Sequence, residues 1–379
     1  MNKAIKYRIY PNLEQQTMFI KTFGCCRKVY NLMLADKIKT YEETKSFGSQ
    51  TPAMYKTEYP YLKEVDSLAL CNVQLNLQQA FANHFDKHRK KQTGFPKFKS
   101  LKHSRKSYTT NNQNWTIQII DNHIKLPKIG LVKAVIHRLP EEHWKLKSAT
   151  ISQDADNKFY ISVLFEYDSN IEKVELNKQF KVIGLDYKSN GLYVDSNGNS
   201  PESHKYYRES QNKLKKEQHK LSKKQYNSNN YNKQKKKVAT IHKHISNQRK
   251  DFLHKESTKI ANSYDVVCVE TLDMKAMSNK KFGLGKATLD NGYGMFLNML
   301  NYKLTDRGKY LIKIDKWFPS SQLCSKCGSL KKITLKERIY TCNCGLSIDR
   351  DYNSAINIKN EGMRILGLEQ PELTPVDFM

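Results

Sequence analysis

The chain has 379 residues, and its 65 Lys+Arg against 37 Asp+Glu give a formal net charge of +28. A field of that size favours polyanionic partners, nucleic acid ahead of an anionic membrane surface. There is no apolar run of about 18 residues and no signal-peptide core in Met1 to Gln16, which argues against a membrane-spanning or exported protein. Cys25, Cys26, Cys71 and Cys268 show no disulfide-framework spacing, as expected in a reducing cytoplasm, and the length allows two or three domains.

Residues 3 to 9 alternate Lys3, Ile5, Tyr7 and Ile9 with Lys6 and Arg8, the pattern of a half-buried strand. Pro11 ends it, and Asn12 is placed to cap a helix through Phe19, Ile20 and Phe23. A helical block continues to about residue 92. Leu70, Val73, Leu77, Phe81 and Phe85 form an apolar stripe in it, and Asn72, Asn76, Gln79 and Asn83 share another face. Amides on such a face are either solvated or suited to adenine edges in a groove. The loop Gly94-Phe95-Pro96-Lys97-Phe98-Lys99 is basic and aromatic, fitted either to stack on bases or to anchor itself.

Strands return after residue 105. Thr116 to Ile120, His123 to Leu126 and Lys147 to Tyr167 alternate, with turn chemistry at Asp121-Asn122 and at residues 154–157. With the first strand they make a small β-barrel interrupted by the helical block. Val182 to Tyr187 then reads as a buried strand carrying Asp186 at its end, paired in a hairpin with Gly191 to Val194. Residues 205 to 256 hold 16 Lys/Arg against 4 Asp/Glu and read as two helices hinged at 228–232, the second with an apolar seam of Ile241, Ile245, Phe252 and Ile260. This charge run is either solvated or a platform for backbone phosphates, for which Lys215, Lys216 and Arg249 are candidates, as are Lys97 and Lys99 in the earlier loop.

Asp265 to Glu270 is a second apolar strand ending in an acid. Gly283, Gly285, Gly292 and Gly294 punctuate what reads as a mobile connection, followed by a helix from Met295 to Asp306 and a strand from Tyr310 to Ile314. Cys324 and Cys327 form a CxxC, and Cys342 and Cys344 a CxC. Two tight cysteine turns on either side of a hairpin deliver four thiolates, the donor set of a structural zinc. Asp349-Arg350-Asp351 follows at once, and Asp351 opens a helix through Ala355, Ile356 and Ile358. Beyond Leu366 the chain reads as a loose tail. Asp186, Glu270 and Asp351 are strand-end and helix-start acids, the oxygen donors that suit Mg²⁺; two such ions about 4 Å apart hydrolyse phosphodiesters.

The ordered set Lys6-Tyr7-Arg8-Ile9-Tyr10-Pro11, Phe23-Gly24-Cys25-Cys26-Arg27, Gly94-Phe95-Pro96-Lys97-Phe98, Gly184-Leu185-Asp186, Val269-Glu270, Phe318-Pro319-Ser320-Ser321, the cysteine pairs and Asp349-Arg350-Asp351-Tyr352-Asn353-Ser354-Ala355 resembles the TnpB (OrfB-type) transposon-encoded proteins over nearly the whole chain. These are RNA-guided DNA nucleases related to type V CRISPR effectors. The resemblance implies a multidomain α/β protein. Its parts are a wedge-like β-barrel (1–10 and 105–180), a helical recognition lobe (11–104), a RuvC-type, RNase H-like nuclease domain (181–317 and 349–366) with a basic helical hairpin at 205–262, a zinc-binding hairpin inserted at 318–348, and a flexible tail (367–379).

It also implies a catalytic triad of Asp186, Glu270 and Asp351 with two Mg²⁺ ions, Asp349 standing in reserve for Asp351, and one structural Zn²⁺ on the four cysteines. The expected partners are a guide RNA from the transposon end and double-stranded target DNA beside a short transposon-adjacent motif, in a monomeric ribonucleoprotein acting at the nucleoid of a prokaryotic cytoplasm. Asn72, Asn76 and Gln79 are candidates for reading that motif. The alternatives are a nuclease-inactive RNA-guided repressor, which loss of a triad acid would mark, and a CRISPR-guided effector. A strand-joining transposase ranks last, because no Tyr or Ser nucleophile motif stands out.

Overall fold

The computed structural model describes the chain except residues 87, 89–92, 169–170, 177–179, 203, 280–284, 335–336 and 368–379. It divides into two compact units, residues 1–169 and 170–379. The tail expected at 367–379 lies, apart from Gly367, outside the described residues.

In the first unit, β1 (Asn2–Tyr10) buries Ile5, Tyr7 and Ile9 on one face, as its alternation requires. Asn12 then caps α1 (Leu13–Thr44): its side chain accepts from the Gln15 amide (2.8 Å) while Gln15 accepts from the Asn12 amide (3.1 Å). The helix runs for 32 residues, well past Phe23, and stops where Lys45 turns left-handed at φ 57°. α2 (Ser67–Phe85) buries Leu70, Val73, Leu77 and Phe81, but Phe85 is 53% exposed, stacking on Phe81 and meeting Phe47 and His84 at the rim. Its N-cap Asp66 accepts from the Leu68 amide and also from the Thr110 hydroxyl, which lies on β2 (Ser107–Asn111). Phe19 of α1 meets Phe159 and Tyr108 on the same side, so helices and strands share one hydrophobic core.

The strands β3 (Gln118–Ile120), β4 (His123–Leu126), β5 (Gly130–Val135), β6 (Lys145–Gln153) and β7 (Phe159–Glu166) complete a seven-stranded antiparallel sheet ordered β2-β6-β7-β1-β5-β4-β3. β1 sits inside it between β7 and β5, joining the later strands across the helical insertion. Where alternation predicted a small β-barrel, the sheet is a curled half-barrel with β2 and β3 as its edges. In the β2–β3 connection the Asn112 amide donates to Lys147 O of β6, and Asn112 Oδ1 accepts from the Ile117 amide within the connection.

The second unit is built on a four-stranded sheet ordered β11-β10-β8-β9, from β8 (Val182–Tyr187), β9 (Tyr193–Asp195), β10 (Val266–Val269) and β11 (Tyr310–Lys313). β8, β10 and β11 are parallel and β9 runs antiparallel to β8. Between β9 and β10 come α3 (Tyr206–Ser222) and α4 (Asn229–Ser263), the second capped by Ser228. The glycine-punctuated connection is partly helical: α5 (Met274–Met277), α6 (Gly285–Asn291) and α7 (Tyr293–Thr305). Gly285 opens α6, Gly292 caps α7 at φ 70° and Gly294 lies within it, while Gly283 falls outside the described residues. Ile183, Leu185, Val267 and Val269 face Leu253 and Ile260 of α4 and Phe296 and Leu300 of α7. Ile241 and Phe252 of the expected seam are only half-buried, because α3 covers one end of α4 and α7 the other.

α4 and α7 are also joined by Lys303, whose buried ammonium donates to His254 O (2.7 Å), Ser257 Oγ (2.8 Å) and Thr258 Oγ1 (2.7 Å). Burial, and then the neighbouring Arg307, hold its pKa down to about 8. Below pH 8 the charge is carried in both folded and unfolded states; above it the folded protein gives up the proton first, while the unfolded chain keeps it to about pH 10.4. Stability therefore gains from this group as pH rises through that window. The expected result is that the stability of the wild type relative to Lys303→Met improves between pH 8 and 10, measured by paired denaturant titrations.

Candidate functional site

Two further strands, β12 (Ile339–Thr341) and β13 (Ser347–Asp349), form a short hairpin that leads directly into α8 (Arg350–Ile365). α8 lies on the sheet face opposite α4 and α7. Glycine permits that approach: a Cβ on Gly184 of β8 would stand 2.2 Å from Ala355 O, and one on Gly362 would stand 2.1 Å from Cys268 Sγ. Backbone-to-backbone packing carries the start of α8 to the carboxyl edge of β8 and β10.

Three acids meet there. Asp186 is buried in β8 and accepts from Ser354 Oγ of α8 (3.1 Å). Glu270, just beyond β10, accepts from Ser320 Oγ (2.7 Å). Asp351 sits in the first turn of α8, its Oδ1 held by Arg350 Nη2 (3.1 Å) and Nε (3.3 Å). Asp349 is spent differently: its Oδ1 caps α8, accepting from the amides of Asp351 (2.9 Å) and Tyr352 (3.0 Å). Burial, then Glu270 and Asp351, push the Asp186 carboxyl well above its ordinary range, against the pull of Ser354 and Arg350. Burial raises Glu270 as well, with Ser320 opposing. Like charges gathered in a poorly solvated place are costly until a cation joins them, and an all-oxygen donor set fits a hard one.

The second cluster offers only sulfur. Cys324, Cys327, Cys342 and Cys344 hold their Sγ atoms within 4.8 Å of one another, and two pairs, Cys324–Cys344 and Cys327–Cys342, stand at 3.6 Å. A tetrahedron with Zn–S of about 2.3 Å has edges of about 3.8 Å, so the spacing of the four is compatible with one zinc. Each cysteine turn closes on a glycine with positive φ, Gly328 at 72° and Gly345 at 85°. The amide of Cys344 and the Ser329 hydroxyl help draw the Cys342 thiol down to about 6, while burial lifts Cys324 to about 12. Among the described residues no other set of potential ligand side chains gathers so closely; the three acids stand wider apart.

The two clusters are wired together by groups that had no assigned role in the sequence reading. Asn353 Nδ2 donates to Leu323 O (2.7 Å) and its Oδ1 accepts from the Ser325 amide (3.0 Å), gripping both sides of Cys324. Asn357 Nδ2 donates to Ser320 O and Leu323 O (both 2.7 Å), fixing the residue that binds Glu270. Arg350 Nη1 reaches Glu337 O (3.1 Å) of the cysteine hairpin. The available signal was position: Ser320 falls inside the Phe318–Ser321 motif and Arg350 and Asn353 inside Asp349–Ala355, whereas Asn357 lies two residues beyond it.

The expected nucleic-acid contacts divide. Lys215 and Lys216 are exposed on α3, and an open groove of about 600 Å³ between α3 and α4 is lined by Lys213, Lys220, Lys233, Lys236 and Lys237. Arg249, by contrast, is turned inward: Nε donates to Asp290 O (2.8 Å) and Nη2 pairs with Asp290 Oδ1 (3.2 Å), so it is a fold contact and not a free phosphate ligand. Asn76 is exposed, whereas Asn72 donates to Leu68 O and Gln79 to Asn83 Oδ1 within their own helix. Lys97 is exposed, and Lys99 lays its ammonium over Tyr30 (3.7 Å) while Asn31 clasps its backbone, which anchors the loop.

Three family profiles match the chain: one described as a helix-turn-helix domain over residues 1–46, one as "Probable transposase" over 162–281, and one as a Cas12f1-like TNB domain over 293–358. The first stretch is here a strand and one uninterrupted helix. A Streptomyces pristinaespiralis protein is 33% identical, the match covering 96% of this chain and 90% of that protein. An Escherichia coli K12 protein is 28% identical, covering 96% and 93%. Both carry the name "Putative RNA-guided DNA endonuclease", the second with the suffix InsQ. A cryo-EM structure of a Cas12f1–sgRNA–target DNA complex matches in fold with TM-score 0.57 at 14% identity, covering 95% of this chain and 99% of that one. The site and fold thus define a mixed α/β protein joining a carboxylate centre to a four-cysteine knuckle. The chain belongs to the TnpB (OrfB-type) family, related to the type V effectors.

No helix among the described residues is long and apolar enough to cross a membrane.

Proposed function

We propose that this protein is a transposon-associated, RNA-guided DNA endonuclease that cuts double-stranded DNA beside a short flanking motif. The convergence of Asp186, Glu270 and Asp351 on one sheet edge carries the reading. In it, residues from about 181 onward form an RNase H-like nuclease domain of RuvC type, and the curled sheet with α1 and α2 forms the wedge and recognition lobe. The donor chemistry supports Asp186, Glu270 and Asp351 as ligands of Mg²⁺ and the four cysteines as ligands of a structural Zn²⁺. Two Mg²⁺ ions, when bound, supply an activated water and stabilisation of the leaving oxygen.

The chain's own groups do the positioning. Ser354 and Ser320 aim the carboxylates of Asp186 and Glu270, and Arg350 holds Asp351. Asp349 is committed to capping, which favours Asp351 as the third ligand. The lysine groove between α3 and α4 suits backbone phosphates of a guide–target duplex or of the guide RNA scaffold. Guide pairing then reads most of the target, leaving the protein the flank, for which exposed Asn76 is the best-placed amide.

The test is plasmid cleavage with a randomised flank, with and without the RNA transcribed from the adjoining transposon end. Cutting should require the RNA, select a short flank and weaken as salt rises. Equal cutting without RNA, or indifference to the flank, would overturn the proposal. RNA-dependent binding without cutting would point to the repressor alternative, and a requirement for RNA from a repeat array to a CRISPR-guided effector.

A further inference from the structure

The loop from Ile314 to Leu323 leaves the carboxyl edge of the sheet beside Glu270. The Ile314 amide donates to Val269 O (3.0 Å), the Thr271 hydroxyl donates to Ile314 O (2.7 Å), and Ser320 reaches Glu270 itself. The loop is held along its length. The Trp317 amide donates to Asp315 Oδ1 (2.7 Å), the Phe318 amide to Asp315 O (3.3 Å), the Ser320 amide to Phe318 O (2.9 Å) and the Leu323 amide to Pro319 O (3.1 Å). Phe318 turns inward onto the small core of Val266, Cys268 and Ile358.

Trp317 does the opposite. Its side of the loop faces water and the residue is 81% exposed; of the other two tryptophans Trp144 is buried at 9%, and Trp115, in the first unit, is exposed at 77%. A large indole held in water by a fixed backbone gains nothing for the fold. Beside it, Lys316 holds its ammonium 4.8 Å from the ring centroid, so a flat π-face and a cation are presented together. That pairing is the one by which single-stranded nucleic acid is held: the ring takes a base, the charge a phosphate.

We propose that Trp317 is a stacking platform for an unpaired base of the DNA strand brought to the Asp186–Glu270–Asp351 centre, with Lys316 supplying charge to the adjoining phosphate. This rests on the nuclease reading above. The ligand is single-stranded or locally opened DNA, since a base inside a duplex is already stacked on its neighbours. Every base has a π-face, so the contact tolerates any sequence and adds hold without changing flank choice.

The experiment compares wild type, Trp317→Ala and Trp317→Tyr as guide-loaded ribonucleoproteins. Trp317→Ala should keep its thermal stability, zinc content and guide-dependent target binding, yet lose roughly 5- to 150-fold in cleavage rate, the worth of one base–aromatic stack. Trp317→Tyr should stay within a few fold of the wild type. Independently of cutting, a short oligothymidylate should quench the tryptophan fluorescence of the Asp186→Ala ribonucleoprotein carrying Trp115→Phe, which removes the other exposed indole, and the quench should vanish when Trp317→Tyr is added. Undiminished cleavage by Trp317→Ala, or a quench that survives the loss of Trp317, overturns the platform. A wild type that cuts no DNA while Trp317 is still quenched removes the nuclease reading and leaves the platform standing.

Discussion

Single alanine replacements of Asp186, Glu270 and Asp351 are each expected to abolish guided cleavage while leaving guided DNA binding largely intact. The acids come from β8, the end of β10 and the first turn of α8, and none lines the lysine groove that suits phosphates. The expected fall is more than about a hundredfold, because a hundredfold is near the ceiling for losing a group that only orients a ligand. Ser320→Ala belongs to that milder class and should cost about 10- to 100-fold, mainly as a higher Mg²⁺ requirement, since it releases Glu270 without removing it. Asp349→Ala should be milder than Asp351→Ala, having lost a helix cap. A cleavage assay beside a gel-shift on the same target separates these outcomes. The reverse order for the two aspartates would transfer the ligand role to Asp349.

Metal analysis should find one zinc per chain, and Cys324→Ser should lose it together with cleavage. Structural zinc contributes an apparent 10–16 kcal/mol in small metal domains, about as much as the whole stability of a typical domain. Beyond the buried Tyr340, whose hydroxyl donates to Gln322 O, the knuckle has little else: β12 and β13 are three residues each, and Ile339 is exposed. Its loss should travel along three routes, through Asn353 to the α8 start, through Asn357 and Ser320 to Glu270, and through Arg350 to Asp351. The first unit should be spared, so chelation of the reduced protein should melt the second unit selectively in hydrogen exchange. Fully reduced, active protein without zinc would remove the site.

What could be read from the sequence was local. The alternation of β1, the Asn12 cap and the apolar runs of β8 and β10 are short-range signals, and the structure places those elements within a residue or two of expectation. The four cysteines were legible because each pair carries its spacing within three or four residues. What escaped depends on distant partners. Arg249 looks like one more cation on a basic helix until Asp290, 41 residues on, is folded against it. Ser320 and Asn357 are unremarkable polar residues until the sheet edge gives them Glu270 and Leu323. Gly285 and Gly294 suggested a loose connection, yet both lie in helices, and the second of these, α7, supplies Phe296 and Leu300 to the core; Phe85 kept helical phase after the core beneath it had ended.

The α3–α4 hairpin also bears on how such a chain can change size. Leu214, Val238 and Ile245 are buried along it but lie outside the hydrophobic clusters of the sheet, and Gln234 ties the two helices through Glu217. The sheet meanwhile pairs Val182–Leu185 directly with Val266–Val269, neighbours in space whatever intervenes between them. The outer turns of the hairpin are therefore a handle hung on a finished frame. Growth or loss there alters the reach of the lysine-lined surface while the strand register that places the acids is left untouched, so the chain can vary in length there without moving the acids.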